Sequence, residues 1–162
     1  MKTLEVGAAN PYRVSVGRGA RVQLAEVLDT SVSKVLIVCA GVLHKDAEKL
    51  REALLDRFEV YIVEVPDAED AKRVEIAAFC WEILGQQDFT RSDAIVTLGG
   101  GSTTDLGGFV AATWLRGVKV IHLPTTVLAA VDAAIGGKTG INTTEGKNLV
   151  GAFHNPSAVL VD

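Results

Sequence analysis

Three consecutive glycines, Gly99 to Gly101, separate the apolar run Ala94 to Leu98 from three hydroxyl residues, Ser102, Thr103 and Thr104. Because glycine has no Cβ atom, these backbone amides are open to a ligand. One of the hydroxyl residues is expected to open a helix, whose free N–H groups and positive dipole end attract anions. This order of residues is typical of a loop that binds a phosphate or pyrophosphate. Since Thr104 stands where a dinucleotide fingerprint has its third glycine, a structural strand-to-helix turn remains the alternative.

Two lysines lie in a glycine-rich segment further along the chain. Lys138 follows two glycines, and Lys147 follows Gly146. A compact ammonium group on such backbone is available to carboxylates and phosphates. We therefore expect a pocket for an anionic substrate, formed by the two lysines and by residues that are near them in sequence: Arg116, Asp132 and Asn148.

Five other candidate residues have simpler explanations. Asp105 would repel a phosphate, so it either holds a ribose or amide group or serves as an acid in the first turn of a helix. Glu69 and Lys72 are three residues apart and would also suit a surface ion pair. Thr125 and Thr126 would also suit an N-cap and its neighbour. The residues alone leave these alternatives open.

The composition excludes several classes of protein. The chain has 162 residues, of which 48% are hydrophobic and 22% charged, and its formal net charge is -4. This length predicts one domain, and the lack of basic excess argues against nucleic acid and acidic membranes as partners. No apolar stretch reaches the roughly 18 residues of a membrane span, and the N-terminus lacks a signal-peptide core. We expect a cytoplasmic protein.

The cysteines and histidines predict neither a disulfide nor a metal site within these residues. Cys39 and Cys80 lie in apolar patterns, which favours two buried thiols. The three histidines, His44, His122 and His154, are scattered without the spacing of metal ligands. His154 is expected to be a surface or packing residue.

Strands and helices alternate in the predicted secondary structure. Short alternating patterns at Leu4 to Val6 and Tyr12 to Val16 predict an N-terminal β-hairpin at an edge of a sheet. Further strands are predicted at Lys34 to Cys39, Val60 to Val65, Ala94 to Leu98, Val118 to Leu123 and Ala158 to Val161.

Apolar residues at helical spacing predict the connections between these strands. The segment Gly136 to Gly151 is expected to be rich in turns. The alternation predicts an α/β fold, a Rossmann-like parallel sheet with helices on both faces, whose ligands bind outside the carboxyl ends of the strands. The predicted helices are Val22 to Leu28, Leu43 to Phe58, Val74 to Leu84, Asp105 to Trp114, and Thr125 to about Ala134.

Together these motifs resemble the N-terminal domain of 3-dehydroquinate synthases, in the style found in actinobacteria. The resemblance is strong after Pro66 and weaker before it. The matching runs are Leu98 to Gly101, Asp105 to Thr113, Leu115 to Gly117, Pro124 to Thr126, Val131 to Asp132, Gly136 to Asn142, and Gly146 to Phe153.

The resemblance implies that the domain binds NAD. It thereby favours a ligand-binding role for Glu69, Lys72 and the two threonines over their simpler explanations. The residues that match the family's cofactor positions are Asp67, Glu69, Lys72, Gly101, Ser102, Thr103, Thr104, Asp105, Thr125, Thr126, Lys138 and Lys147.

The resemblance also implies a substrate that carries a carboxylate and a phosphate, 3-deoxy-D-arabino-heptulosonate 7-phosphate. This phosphorylated sugar acid would be converted to 3-dehydroquinate and phosphate in the shikimate pathway. Arg116 matches a residue that reaches across a homodimer. The residues that match the family's substrate positions are Asp132, Lys138, Lys147 and Asn148.

The family's metal, zinc or cobalt, is held by a helical C-terminal domain that this chain does not contain. We therefore expect residues 1–162 to be the NAD-binding N-terminal domain of a longer protein and to be inactive alone. Another sugar phosphate cyclase, or a stand-alone nucleotide-binding module, remains an alternative.

Overall fold

The computed structural model describes all 162 residues and shows an α/β fold of the predicted class. Seven strands form the main sheet in the order β1-β2-β9-β6-β5-β3-β4, and only β1 runs antiparallel to its neighbour. The N-terminal hairpin extends one edge of this sheet, as predicted. The strands of the main sheet are β1 (Lys2–Val6), β2 (Tyr12–Val16), β3 (Lys34–Ala40), β4 (Glu59–Val65), β5 (Ala94–Gly99), β6 (Lys119–Pro124) and β9 (Ala158–Val161).

Helices cover both faces of the sheet. All residues of β5 and the five central residues of β3 are buried, which is the pattern of parallel strands packed on both sides. Leu24 and Ala47 pack into the apolar core on one face, and Cys80 and Leu106 pack into the core on the other. The helices are α1 (Leu24–Val27), α2 (His44–Leu54), α3 (Val74–Gln86) and α4 (Gly101–Thr113).

Both cysteines are buried free thiols, as predicted. Burial raises the pKa of Cys39 to about 11 and the pKa of Cys80 to about 12. Neither sulfur is therefore a nucleophile at neutral pH. None of the helices combines the length and the apolar composition that crossing a membrane requires.

The segment from Gly136 to Gly151 contains a β-hairpin, so its prediction as a turn-rich stretch is wrong. β7 (Lys138–Thr143) and β8 (Gly146–Phe153) pair antiparallel as a separate two-stranded sheet. A Cβ atom on Gly151 would lie 2.2 Å from the carbonyl oxygen of Thr139, and one on Gly140 would lie 3.0 Å from that of Val150. The glycines that suggested turns instead allow the two strands to approach closely.

Several predicted helices have other bounds in the structure. α4 begins at Gly101, before the hydroxyl residues that were expected to open it, and α2 ends at Leu54. The first predicted helix divides into a 3-10 segment, Ala20–Gln23, and α1. The helix predicted from Thr125 to about Ala134 begins at residue 127 and becomes π-helical at Ala129–Ala133.

Candidate functional site

The candidate site lies near the carboxyl ends of β5 and β6, where parallel sheets bind ligands. A cavity of about 450 Å³ opens between the beginning of α4, the π-helical segment and the β7–β8 hairpin. We call this region the cleft. The predicted site residues that line the cavity are Asp105, Asp132, Lys138 and Asn148.

The three glycines of the loop differ in what requires them. A Cβ atom on Gly99 would lie 2.6 Å from Oγ1 of Thr103, so packing alone excludes a side chain there. A Cβ atom on Gly100 or Gly101 would be 3.4 Å from its nearest neighbour, a side-chain carbon of Thr126 or Ala133, and would only reach contact. A structural turn therefore explains Gly99 but not the other two glycines. The backbone of Gly100 and Gly101 is left open at the beginning of α4, where the first N–H groups of the helix have no partner within it.

The hydroxyl residues of α4 have different environments. Thr103 is 4% exposed and Thr104 is 1% exposed, so neither side chain reaches the cleft. The N–H and hydroxyl groups of Thr104 both donate to the carbonyl oxygen of Gly100, at 3.1 and 2.8 Å. Ser102 is partly exposed, and its hydroxyl donates to Oε1 of Glu69 at 3.4 Å. Of these three residues, only Ser102 has a partly exposed side chain.

The threonines after β6 connect the strand ends. The N–H of Thr125 donates to the carbonyl oxygen of Gly99 at 2.9 Å. Oγ1 of Thr126 accepts the N–H of Ala129 at 3.2 Å, which caps the helical turn that begins at residue 127 and leads into the π-helical segment. The capping role predicted for this pair is thus present at Thr126, beside the glycine loop.

Lys72 is the most buried cation of the site, with 2% of its surface exposed. The surface ion pair that was the alternative explanation of Glu69 and Lys72 does not form, because Nζ of Lys72 donates instead to Oδ2 of Asp105 at 2.8 Å. The same ammonium group also donates to Oδ1 of Asn148. Asp105 is therefore neither a free helix acid nor a first-turn acid, but the partner of a lysine that lies 33 residues earlier. Together these three residues join the 3-10 segment Ala68–Lys72, α4 and β8.

The pKa values of the two carboxyl groups near Lys72 are shifted in opposite directions. Burial raises the pKa of Asp105, although the hydrogen bond from Lys72 opposes this shift. The pKa of Glu69 is lowered, chiefly because Nδ2 of Asn142 donates a hydrogen bond of 2.7 Å to its Oε2. The positive charges of Lys72 and Lys147 add to this lowering. Glu69 is hence an ionised hydrogen-bond acceptor at neutral pH.

The remaining cations of the cleft are exposed. Nζ of Lys138 lies 3.3 Å from Oδ1 of Asp132, and the side chains are 65% and 59% exposed. Lys147 is exposed and makes no ion pair within 4 Å, although its charge acts on Glu69. A weak surface pair leaves Lys138 available to another anion, since such pairs contribute little free energy.

Two predicted residues lie away from the cavity. Asp67 is exposed and precedes the 3-10 segment without capping it through its side chain. Arg116 is exposed and follows α4, whose 13 residues separate it from the glycine loop by about 20 Å at 1.5 Å per residue. Leu115 and Arg116 both have left-handed backbone, with φ of 48° and 64°. Arg116 therefore does not reach the cleft of its own chain.

Sequence reasoning missed Asn142 and Thr139. Asn142 donates to Glu69 and accepts from the N–H of Asn148, whereas the hydroxyl of Thr139 donates to the carbonyl oxygen of Ala152 at 2.6 Å. Both residues belong to the run that was predicted as turns. Recognising alternation around its glycines would have placed both on a strand.

The residues of the chain do not fit a metal ion. No three or more histidine, cysteine, aspartate or glutamate side chains lie in an arrangement that would hold one.

Comparison with known proteins identifies the family. The model of the 3-dehydroquinate synthase N-terminal domain matches residues 62–162. A 3-dehydroquinate synthase of Leifsonia xyli subsp. xyli is 62% identical over 157 residues, covering 97% of this chain and 44% of the relative. One of Streptomyces avermitilis is 57% identical over 154 residues, covering 94% of this chain and 42% of the relative. The chain thus spans less than half the length of these relatives.

Solved structures show the same fold. A 2-deoxy-scyllo-inosose synthase complexed with carbaglucose-6-phosphate, NAD+ and Co2+ matches with a TM-score of 0.90 and 28% identity, over 99% of this chain and 46% of its own. The 2-epi-5-epi-valiolone synthase of Streptomyces hygroscopicus subsp. jinggangensis, with NAD+ and Zn2+ bound, matches with a TM-score of 0.83 and 28% identity, over 98% of this chain and 45% of its own. The family model and the curated relatives agree with the motifs of the cleft, and the chain belongs to the 3-dehydroquinate synthase family.

Proposed function

We propose that residues 1–162 form the NAD-binding part of an enzyme that converts 3-deoxy-D-arabino-heptulosonate 7-phosphate to 3-dehydroquinate and phosphate. The observation that carries this proposal is that Gly101, whose backbone is open, lies one turn of α4 before Asp105, which Lys72 holds together with Asn148. One end of the cleft thus suits a pyrophosphate, and the other suits polar groups of the ligand.

The cofactor residues divide between backbone and side-chain contacts. The N–H groups of Gly101, Ser102 and Thr103 would bind the pyrophosphate at the beginning of α4. Glu69 is ionised and accepts hydrogen bonds, which suits ribose hydroxyl groups. Asp105 is fixed by Lys72 and would accept from the carboxamide of the nicotinamide. The other proposed cofactor residues are Asp67, Lys72, Thr104, Thr125, Thr126, Lys138 and Lys147.

The substrate residues are proposed to be the exposed polar groups at the hairpin end of the cleft. Lys138 and Lys147 would neutralise the phosphate and carboxylate of the substrate and hold it in one orientation. Asp132 would keep Lys138 at the mouth of the cavity, and Asn148 would donate through its Nδ2 group. NAD supplies, when bound, the acceptor for a hydride that is returned within the same turnover.

The proposal assigns the metal and the second subunit to groups outside this chain. Zinc or cobalt would act as a Lewis acid on a substrate hydroxyl, with ligands from a C-terminal helical domain. Arg116, exposed at the far end of α4, would reach the substrate of a partner subunit in a cytoplasmic homodimer. Residues 1–162 would therefore be inactive alone.

Sequence identity favours the dehydroquinate reaction over other cyclisations. The relatives called 3-dehydroquinate synthase reach 62% identity, whereas the 2-deoxy-scyllo-inosose synthase and the 2-epi-5-epi-valiolone synthase are each 28% identical. The fold alone does not separate these reactions, because the TM-scores of those cyclases are also high.

An assay of phosphate release tests the proposal. Residues 1–162, supplied with 3-deoxy-D-arabino-heptulosonate 7-phosphate, NAD and zinc, are expected to release no phosphate. A chimera that joins them to the remaining part of the Leifsonia relative is expected to release phosphate and form 3-dehydroquinate. Turnover by residues 1–162 alone at a rate like that of the chimera, or a different carbocycle from the chimera, would contradict the proposal.

A further inference from the structure

The hairpin contains an irregularity at the place where two proposed site residues lie. β7 and β8 pair regularly from Lys138 with Phe153 to Ile141 with Val150, and the pairing then shifts to Thr143 with Gly146. Between these pairs one residue of β7 faces three residues of β8. The single residue is Asn142, and the three residues are Lys147, Asn148 and Leu149.

This bulge deprives the backbone of its normal partners. Bulged residues are left out of the ladder of hydrogen bonds, and Asn148 also has left-handed backbone with φ of 57°. Oδ1 of Asn142 accepts the N–H of Asn148 at 3.0 Å and so replaces the missing partner. A side chain of β7 thus fixes the conformation of the residue that accepts from Lys72.

The other amide atom of Asn142 fixes the opposite wall of the cleft. Its Nδ2 group donates to Oε2 of Glu69 at 2.7 Å, across 73 residues of sequence. Glu69 also accepts from Ser102 at the beginning of α4. The amide of Asn142 therefore connects the bulge to the 3-10 segment and, through Glu69, to the glycine loop.

We infer that Asn142 is a positioning residue of the cleft, whose amide oxygen holds the bulge of Lys147 and Asn148 while its amide nitrogen orients Glu69. This arrangement would also preorganise the NAD site, a consequence that rests on the proposed function. The side-chain amide of Asn142 uses its oxygen and one of its two N–H donors inside the protein. Its contribution to the ligand is therefore indirect.

The test compares three variants of the 162-residue chain by NMR without any ligand. Asn142→Ala is expected to speed hydrogen exchange of the Asn148 N–H about tenfold, since one hydrogen bond is lost. It is also expected to raise the pKa of Glu69 toward its ordinary value, although Lys72, Lys147 and Ser102 still face that carboxylate. Asn142→Asp keeps the acceptor oxygen, so exchange at Asn148 is expected to stay slow while the pKa of Glu69 rises. Thr144→Ala, at the turn of the same hairpin, is the control and should change neither quantity.

Titration with NAD then tests the consequence for binding. Asn142→Ala is expected to weaken NAD binding about tenfold, whereas Thr144→Ala binds as the unchanged chain does. The inference would be overturned if Asn142→Ala changed neither hydrogen exchange of the Asn148 N–H nor the pKa of Glu69. It would also be overturned if exchange at Asn148 became faster while NAD affinity stayed the same. If the unchanged chain does not bind NAD, the proposed function fails, and the ligand-free NMR results still decide the role of Asn142.

Discussion

At the scale of single residues, Lys72 is a buried cation whose ion pair affects stability more than a surface pair does. Its ammonium group is almost fully removed from solvent and is held by Asp105 and Asn148. Removing one partner from such a pair leaves the other unpaired, which costs more than the pair itself contributes.

Lys72→Met is therefore expected to lower the free energy of unfolding by about 2 kcal/mol, because Asp105 loses its partner in a partly buried place. The double variant Lys72→Met with Asp105→Asn should lose less than the sum of its single variants. Urea unfolding measures these free energies. Lys138→Met, whose pair with Asp132 is exposed, is the matched control and should cost less than about 0.5 kcal/mol. Equal losses at Lys72 and Lys138 would refute this account of the buried pair.

The sequence identified Lys72 as a site residue only through the family resemblance. From the residues alone, Glu69 was the obvious partner because it is three positions away. The real partner, Asp105, is brought near by the packing of the 3-10 segment against α4. Contacts between residues this far apart depend on tertiary structure, which local spacing does not encode.

His122 should give the protein a pH-dependent stability. It is buried on β6 with its Nδ1 2.7 Å from the hydroxyl oxygen of Thr97, and burial, together with the charge of His154, lowers its pKa from 6.5 to about 3. In the unfolded chain His122 is protonated below about pH 6.5, whereas in the folded chain it stays neutral until about pH 3. The contribution of this neutral histidine is thus present above pH 6.5 and decreases as the pH falls toward 3.

Chemical denaturation at a series of pH values measures this dependence. In the window below pH 6.5, His122 is expected to contribute a slope of up to about 1.4 kcal/mol per pH unit to the free energy of unfolding. His122→Asn removes the titrating group and should flatten the profile in that window. Identical slopes for the two proteins would show that His122 is not buried in its neutral form.

At the scale of elements, α4 lies unusually close to the sheet. A Cβ atom on Gly107 would lie 2.2 Å from Cγ2 of Thr97, and one on Gly108 would lie 2.7 Å from Cγ2 of Thr139. These two glycines therefore let α4 pack on β5 and on the hairpin at the same time. The position of α4 in turn places the glycine loop and Asp105.

Gly107→Ala should destabilise the protein although alanine is the better helix former. Thr97 is 1% exposed and hydrogen-bonded to His122, so its side chain does not easily move away from an added methyl group. We expect a net loss of about 2 kcal/mol, since overpacking outweighs the gain of up to about 1 kcal/mol in helix propensity.

Gly85→Ala in α3 is the matched control for this substitution. Its Cβ atom would lie 3.5 Å from Cη2 of Trp114, which is ordinary contact. Thermal unfolding should therefore show a small stabilisation for Gly85→Ala and a lower midpoint for Gly107→Ala. A stabilised Gly107→Ala would mean that the helix does not depend on this close approach.

The elements differ in how well the sequence predicts them. β3 and β5 are runs of apolar residues buried on both faces, and their positions follow from these apolar runs in the sequence alone. The β7–β8 hairpin was missed because Gly140 and Gly151 are typical of turns, whereas here they relieve contacts between two backbones. The bulge at Asn142 adds a register shift that no periodic pattern reveals.

At the scale of the whole molecule, the parallel sheet determines where the cleft lies. The glycine loop and the threonines after β6 both follow carboxyl ends of neighbouring strands, as predicted for an α/β fold. Four parts of the chain then contribute side chains to the cleft: the 3-10 segment, α4, the π-helical segment and the hairpin. The position of the site was thus predictable from the topology, while its internal hydrogen bonds were not.

The most direct test of the central claim is calorimetric titration of the chain with NAD, alone and with the substitution Gly101→Ala. A Cβ atom at Gly101 would lie 3.4 Å from Cβ of Ala133 and so fits the fold, so stability should be kept. The added methyl group would take up space next to the N–H groups at the beginning of α4, so NAD binding is expected to weaken about tenfold. Gly85→Ala should bind NAD as the unchanged chain does. NAD binding that Gly101→Ala weakens is the result predicted here. No binding at millimolar NAD, or equal affinity of the unchanged chain and Gly101→Ala, would contradict a dinucleotide site at this loop.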